Sequence, residues 1–256
     1  MSTAAKKTAA KPAAKTADKP GKKEEGAAAA KADGPAPVPG AAAPGHKRTA
    51  MEVEFDKLRA LDRFEEGVDA IGPEGLKKLA KDLLLPDDQG LEMFVIAWKL
   101  NATQSYCITR SEWLHSLYLE KPPVDDMTSL RTRVPKWLEL VKESEKDFAA
   151  MYNHTYDFIR GDDEKLLPLS KALKAWEALL ADRFPHFTEW ARWAHGEYKR
   201  PVSRDVWRQL LEFAKRVPDL NKYQSHDKWP TAMDDFVEWW KEQQAKGKPP
   251  VAAPAA

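Results

Sequence analysis

Cysteine is almost missing: Cys107 is the only one in 256 residues, which excludes an internal disulfide framework. Long apolar runs are missing too. No stretch approaches the roughly 20 residues that a membrane-spanning helix needs, and the N-terminal segment lacks the continuous apolar core of a secretory signal. Residue 2 is Ser2, so the N-myristoylation pattern is absent, as are glycine-rich phosphate loops. These absences lead to the expectation of a soluble intracellular protein. Residues 1–50 are poor in large side chains, since only Met1 and Val38 exceed alanine and proline among their apolar residues, and such a segment cannot offset the entropy of ordering it.

Charge is divided unevenly. Residues 1–50 carry ten Lys or Arg against four Asp or Glu, a net of +6, and the remaining residues carry 31 against 36, a net of −5. The overall +1 therefore conceals a basic, alanine- and proline-rich tail on an acidic body. Such a tail is consistent with nuclear import, weak nucleic-acid association or a passive solubilising leader, and the expected location is nuclear and cytoplasmic.

What is present, from residue 53 to 244, is helical periodicity, with no convincing alternation at period two. The expected fold class is all-α, a helical domain of two lobes, followed by a flexible tail over 245–256. Residues 91–100, LEMFVIAWKL, are apolar almost all the way round, so this helix is expected to be buried on most sides or to line a pocket. Met127, Leu130, Val134, Trp137, Leu138 and Val141 form one further stripe, with a kink expected at Pro135. Phe148, Met151, Tyr152, Thr155, Phe158 and Ile159 form another, followed by Leu169, Leu173, Trp176, Leu179 and Leu180. Phe187, Trp190 and Trp193 mark the next helix. Ser203 suits an N-cap ahead of Val206, Leu210, Phe213 and Val217. In KWPTAMDDFVEWWK, Pro230 fits a first helical turn, and Trp229, Met233, Phe236, Val237 and Trp240 lie on one face, with Asp234, Asp235 and Glu238 outside it. Pro122 and Pro123 separate the two lobes.

The first lobe reads as degenerate EF-hand-like helix-loop-helix units. With Asn101 at loop position 1, Thr103, Ser105, Cys107, Thr109 and Glu112 fall at positions 3, 5, 7, 9 and 12, and Ile108 at the apolar position 8. The spacing is right and the ligands are wrong: position 1 is neutral, positions 3 and 5 are hydroxyls, and the turn glycine is replaced by Tyr106. The preceding segment, RFEEGVDAIGPEGLKKL, has the same outline with Ile71 as its apolar loop residue. The expectation is a paired scaffold kept for shape. Catalysis has no persuasive constellation: Cys107 has no sequence-local histidine, and the six histidines show no metal-ligand spacing, so no metal or cofactor is expected.

Taken in order, VIAWKLNATQ, YDFIRG, AWEALLADRF, PVSRDVWRQLLEF and KWPTAMDDFVEWW resemble the potentiating-neddylation domain of the defective-in-cullin-neddylation family over about residues 54–242. The resemblance implies a non-catalytic ligase component that holds a cullin, through its C-terminal winged-helix region, beside the neddylation conjugating enzyme. Transfer of the ubiquitin-like modifier to a cullin lysine would then gain from proximity and orientation. Carried over by position, the cullin-binding patch maps to Asp205, Lys228 and Asp234, supported by Asp235, with lysine standing where the family has a small residue. The pocket for the conjugating enzyme's acetylated N-terminus maps to Leu76, Met93, Ile96, Ala97, Leu100, Ala102, Tyr106, Ile108, Phe158 and Ala178. Leu100 stands where an aromatic is usual, and Tyr106 where a smaller residue is usual. The residues alone leave two other readings open, an EF-hand-derived calcium regulator and a nuclear protein that binds nucleic acid through its basic tail.

Overall fold

Thr49 opens the first helix with a reciprocal cap. Its hydroxyl accepts from the Glu52 N–H at 3.2 Å and the Glu52 carboxylate accepts from the Thr49 N–H at 2.6 Å, so two of the donors that a helix start leaves unpaired are satisfied together. Helix α1 therefore spans Ala50–Arg59 and begins ahead of residue 53, where periodicity alone placed the domain's start. The computed structural model describes residues 48–224 and 229–247. Among these the remaining elements are β1 (Ala70–Ile71), α2 (Pro73–Asp82), α3 (Leu91–Lys99), β2 (Ile108–Thr109), α4 (Arg110–Leu119), α5 (Met127–Glu143), α6 (Glu145–Arg160), α7 (Leu169–Leu180), α8 (Phe187–Trp193), α9 (Arg204–Arg216) and α10 (Thr231–Ala245). A π-helical turn, Ala194–Tyr198, and a 3-10 turn, Leu220–Lys222, complete the set. The fold is all-α apart from the two-residue strands, and none of the described helices is long and apolar enough to cross a membrane.

Helix α3 is the pivot. Met93, Phe94, Val95, Ile96 and Ala97 are all buried because α3 packs on both α5 and α6, which accounts for a helix apolar on nearly every side. One continuous core runs from Met51 to Trp240, so the prolines at 122 and 123 mark a change of direction and do not divide the apolar interior. Helix α5 continues through Pro135, and α10 has Pro230 as its N-cap, one position before the first turn that sequence had assigned to it.

The tryptophans are mostly structural. The Tyr152 hydroxyl donates to the Trp207 carbonyl at 2.8 Å and accepts from Trp176 Nε1 at 3.0 Å, while Trp207 Nε1 donates to the Tyr152 carbonyl at 2.9 Å. Tyr152 and Trp207 stack at 4.7 Å and Trp176 and Trp207 at 5.5 Å, which locks α6, α7 and α9 together with every one of these polar atoms paired. Truncating a residue of this kind to alanine costs about 3–5 kcal/mol.

Candidate functional site

The two degenerate loops meet back to back. β1 and β2 pair antiparallel, with Ile71 opposite Ile108 and Ala70 opposite Thr109, so the two apolar loop residues singled out by spacing are cross-strand partners. In the second loop the Glu112 carboxylate accepts from the Thr103 N–H at 2.9 Å, the Thr103 hydroxyl at 2.6 Å and the Thr109 N–H at 2.8 Å. In the first loop Asp62 accepts from the N–H groups of Gly72, Glu74 and Gly75 at 2.8–3.1 Å and thereby caps α2, whose own N-cap residue, Gly72, has no side chain to do so. Asp69 is neutralised by Arg59 at 2.8 Å and by Arg110 at 2.6 Å, and Arg110 also reaches Asp56 at 2.5 Å. The loop carboxylates thus close the loops by bonding to backbone N–H groups and arginines. Among the described residues no group of three His, Cys, Asp or Glu is placed to hold a metal ion.

Tyr106, at the turn position normally given to glycine, holds φ at +50°, a left-handed conformation that costs a side chain about 1–2 kcal/mol. Three contacts hold it there: its N–H donates to the Phe158 carbonyl at 2.9 Å, its ring lies 5.5 Å from that of Phe158, and Lys171 Nζ sits 5.3 Å from its ring. Tyr106 and Phe158, assigned to the apolar pocket from separate parts of the sequence, are therefore in direct contact. Leu76, Met93, Ile96, Ala97, Leu100, Ala102, Ile108 and Phe158 are all buried, whereas Tyr106 and Ala178 are half-buried. Ala178 opens onto a groove of about 340 Å³ that it shares with Leu91, Val141, Lys142, Phe148, Leu179, Asp182 and Arg183, none of which the resemblance had assigned to the pocket. Arg183 lies 3.8 Å from the centre of the Phe148 ring and pairs with Glu145 at 2.8 Å, so this groove has a charged rim over an aromatic floor.

Following Tyr106 in the loop, Cys107 is half-buried, and its thiol pKa is pushed up to about 11, chiefly by burial and then by Asp162, Asp62 and Glu112. A thiol held protonated at neutral pH is a poor nucleophile.

The acidic residues lie on two neighbouring helices. Ser203 caps α9, its hydroxyl accepting from the Val206 N–H at 3.1 Å as the sequence indicated, and Asp205 stands exposed in the first turn, where carboxylates complement the helix dipole. Arg204 beside it is committed elsewhere, paired with Asp157 at 2.6 Å and lying over the Tyr156 ring. On α10, Asp234 is half-buried and accepts from the Tyr223 hydroxyl at 2.6 Å; Asp235 is exposed and lies 3.7 Å from Arg200. Because Arg200 belongs to the loop leading into α9, that ion pair sets the approach to Asp205 against α10. Lys228 lies outside the described residues. Its neighbour Trp229 is anchored, the ring 5.6 Å from Phe213 of α9. Tyr223 and Arg200, which contact the acidic pair, carry no signal in the sequence: they stand far from it along the chain, at no fixed helical interval.

Comparison with known proteins places this acidic region inside a described domain. The family profile described as cullin binding matches residues 129–239. The chain is 29% identical over 206 residues to DCN1-like protein 4 of Danio rerio, covering 77% of this chain and 72% of that protein. It is 30% identical over 197 residues to DCN1-like protein 5 of Rattus norvegicus, covering 75% and 81%, and 30% identical over 205 residues to DCN1-like protein 5 of Bos taurus, covering 76% and 82%. The chain belongs to the DCN1-like family and carries its cullin-binding domain.

Proposed function

We propose that this chain is a non-catalytic component of cullin neddylation, one that docks a cullin on its acidic face and the neddylation conjugating enzyme on its apolar one. The observation that carries the reading is the acidic group itself. Asp205 and Asp234 occupy the first turns of adjacent helices inside the cullin-binding match, with Asp235 next to Asp234, and such a surface complements a basic partner. The conjugating enzyme's acetylated N-terminus would enter the region around Tyr106 and Phe158, where buried apolar side chains reach a half-buried one. A protonated Cys107 fits a role in which the thioester chemistry belongs to the conjugating enzyme and this chain contributes orientation.

Lys228 modifies the docking. Where the family has a small residue this chain has Lys228, a change that adds bulk and a positive charge and so reduces complementarity to a basic partner. The test is capture of a cullin C-terminal domain: Asp234→Arg abolishes it and Lys228→Ala leaves it intact or strengthens it. Unchanged capture by Asp234→Arg removes the assignment of the acidic face.

A further inference from the structure

Asp234 and Asp235 are adjacent in sequence and differ in how they are held. Tyr223 follows the 3-10 turn, its N–H donating to the Leu220 carbonyl at 3.3 Å, and its side chain is 8% exposed. The ring meets Phe213 edge-on at 5.7 Å, and Phe213 is itself fully buried, with Phe184 at 6.0 Å, Trp229 at 5.6 Å and Phe236 at 6.4 Å. A ring fixed in this way has little freedom, and its hydroxyl ends 2.6 Å from Asp234 Oδ1. Oδ2 of Asp234 has no partner among the described residues. Asp235 lies against the cation Arg200 at 3.7 Å, with both side chains well exposed.

We propose that Tyr223 is a positioning residue for docking: by donating to one oxygen of Asp234 it fixes the carboxylate rotamer and presents the second oxygen to a basic side chain of the partner. This inference rests on the acidic face being the cullin-docking surface. A neutral donor orients a carboxylate without cancelling its charge, which a lysine or arginine in its place would do. An exposed aspartate has several staggered rotamers and loses that freedom when a partner binds, whereas Asp234 has lost it before the encounter. Asp235, paired with a cation of its own chain, has less net charge to offer. The two aspartates therefore make unequal contributions, with Asp234 dominant.

A double-mutant cycle tests this. Binding of an isolated cullin C-terminal domain is measured by calorimetry for the full-length chain, Tyr223→Phe, Asp234→Ala and the double variant, with thermal unfolding recorded for each. Tyr223→Phe keeps the ring and its contact with Phe213 and removes only the hydroxyl. The expected result is affinity about fivefold weaker for Tyr223→Phe, on the scale set by one lost ordering contact, and a double variant no weaker than Asp234→Ala alone. A structural role would instead weaken the double variant beyond Asp234→Ala. The proposal is overturned if Asp234→Ala weakens binding while Tyr223→Phe stays within twofold of the unaltered chain, or if the two losses multiply. If Asp234→Ala itself binds like the unaltered chain, the docking reading fails and this proposal fails with it.

Discussion

Glu112 folds back onto Thr103, accepting its backbone N–H at 2.9 Å and its hydroxyl at 2.6 Å. In a calcium loop these are positions 12 and 3, both turned toward the ion; here one bonds the other directly. Replacing Glu112 with alanine leaves two N–H groups and a hydroxyl without their acceptor, at a cost of about 2–3 kcal/mol. Thermal unfolding should show that loss, and millimolar calcium should not shift the midpoint of the unaltered protein. A calcium-dependent rise would return the calcium-regulator reading.

Tyr152 sits between two tryptophans with both sides of its hydroxyl in use. Tyr152→Phe keeps the stack on Trp207 and strands the Trp176 N–H in a dry interior, while the Trp207 carbonyl keeps its partner within α9, at a cost of about 1–3 kcal/mol. Chemical denaturation should give a lower midpoint with an unchanged slope; a change below about 0.5 kcal/mol would mean that water reaches the site.

His154 lies against the Ala102 carbonyl at 2.8 Å. A carbonyl only accepts, so Nε2 carries the proton, and Nδ1 is buried without a partner. Burial lowers the His154 pKa, against opposing contributions from the bond to Ala102 and the charges of Asp157 and Glu112. With a depressed folded-state pKa, the unfolded chain binds the proton first, so stability is full above the ordinary histidine value of about 6.5 and is lost as pH falls through the folded value. His154→Asn should flatten that limb of the stability-versus-pH curve. An unchanged limb would place its cause elsewhere.

Much of this was legible in the sequence because helical stripes report burial directly. Ile71 and Ile108 were recognised as equivalent loop positions, and they face one another across the ribbon. The Ser203 cap was visible because capping is local in sequence. Distant pairings were not. Nothing ties Tyr223 to Asp234, or Asp62 to the start of α2, except the path of the chain between them. The start at Ala50 escaped for another reason: the capping box that defines it lies in a polar stretch where apolar periodicity is silent.

Tyr106 and Phe158 give the apolar region its own test. Calorimetry with peptides matching the conjugating enzyme's N-terminus should show the acetylated form binding at least tenfold more tightly, since burying a free ammonium among apolar side chains costs far more than burying an acetyl group. Tyr106→Ala should weaken the acetylated peptide selectively, through the lost ring contact with Phe158. Equal affinity for the two peptides would argue against the pocket.

Reconstituted neddylation of a cullin C-terminal domain, timed with and without this chain, is the most direct measurement of its role. If the chain works by holding enzyme and acceptor together, adding it raises the initial rate at limiting conjugating enzyme, and both Asp234→Arg and Asp205→Arg return the rate to the unassisted level. A rate unaffected by the chain, or one that Asp234→Arg supports as well as the unaltered protein, would contradict docking through the acidic face.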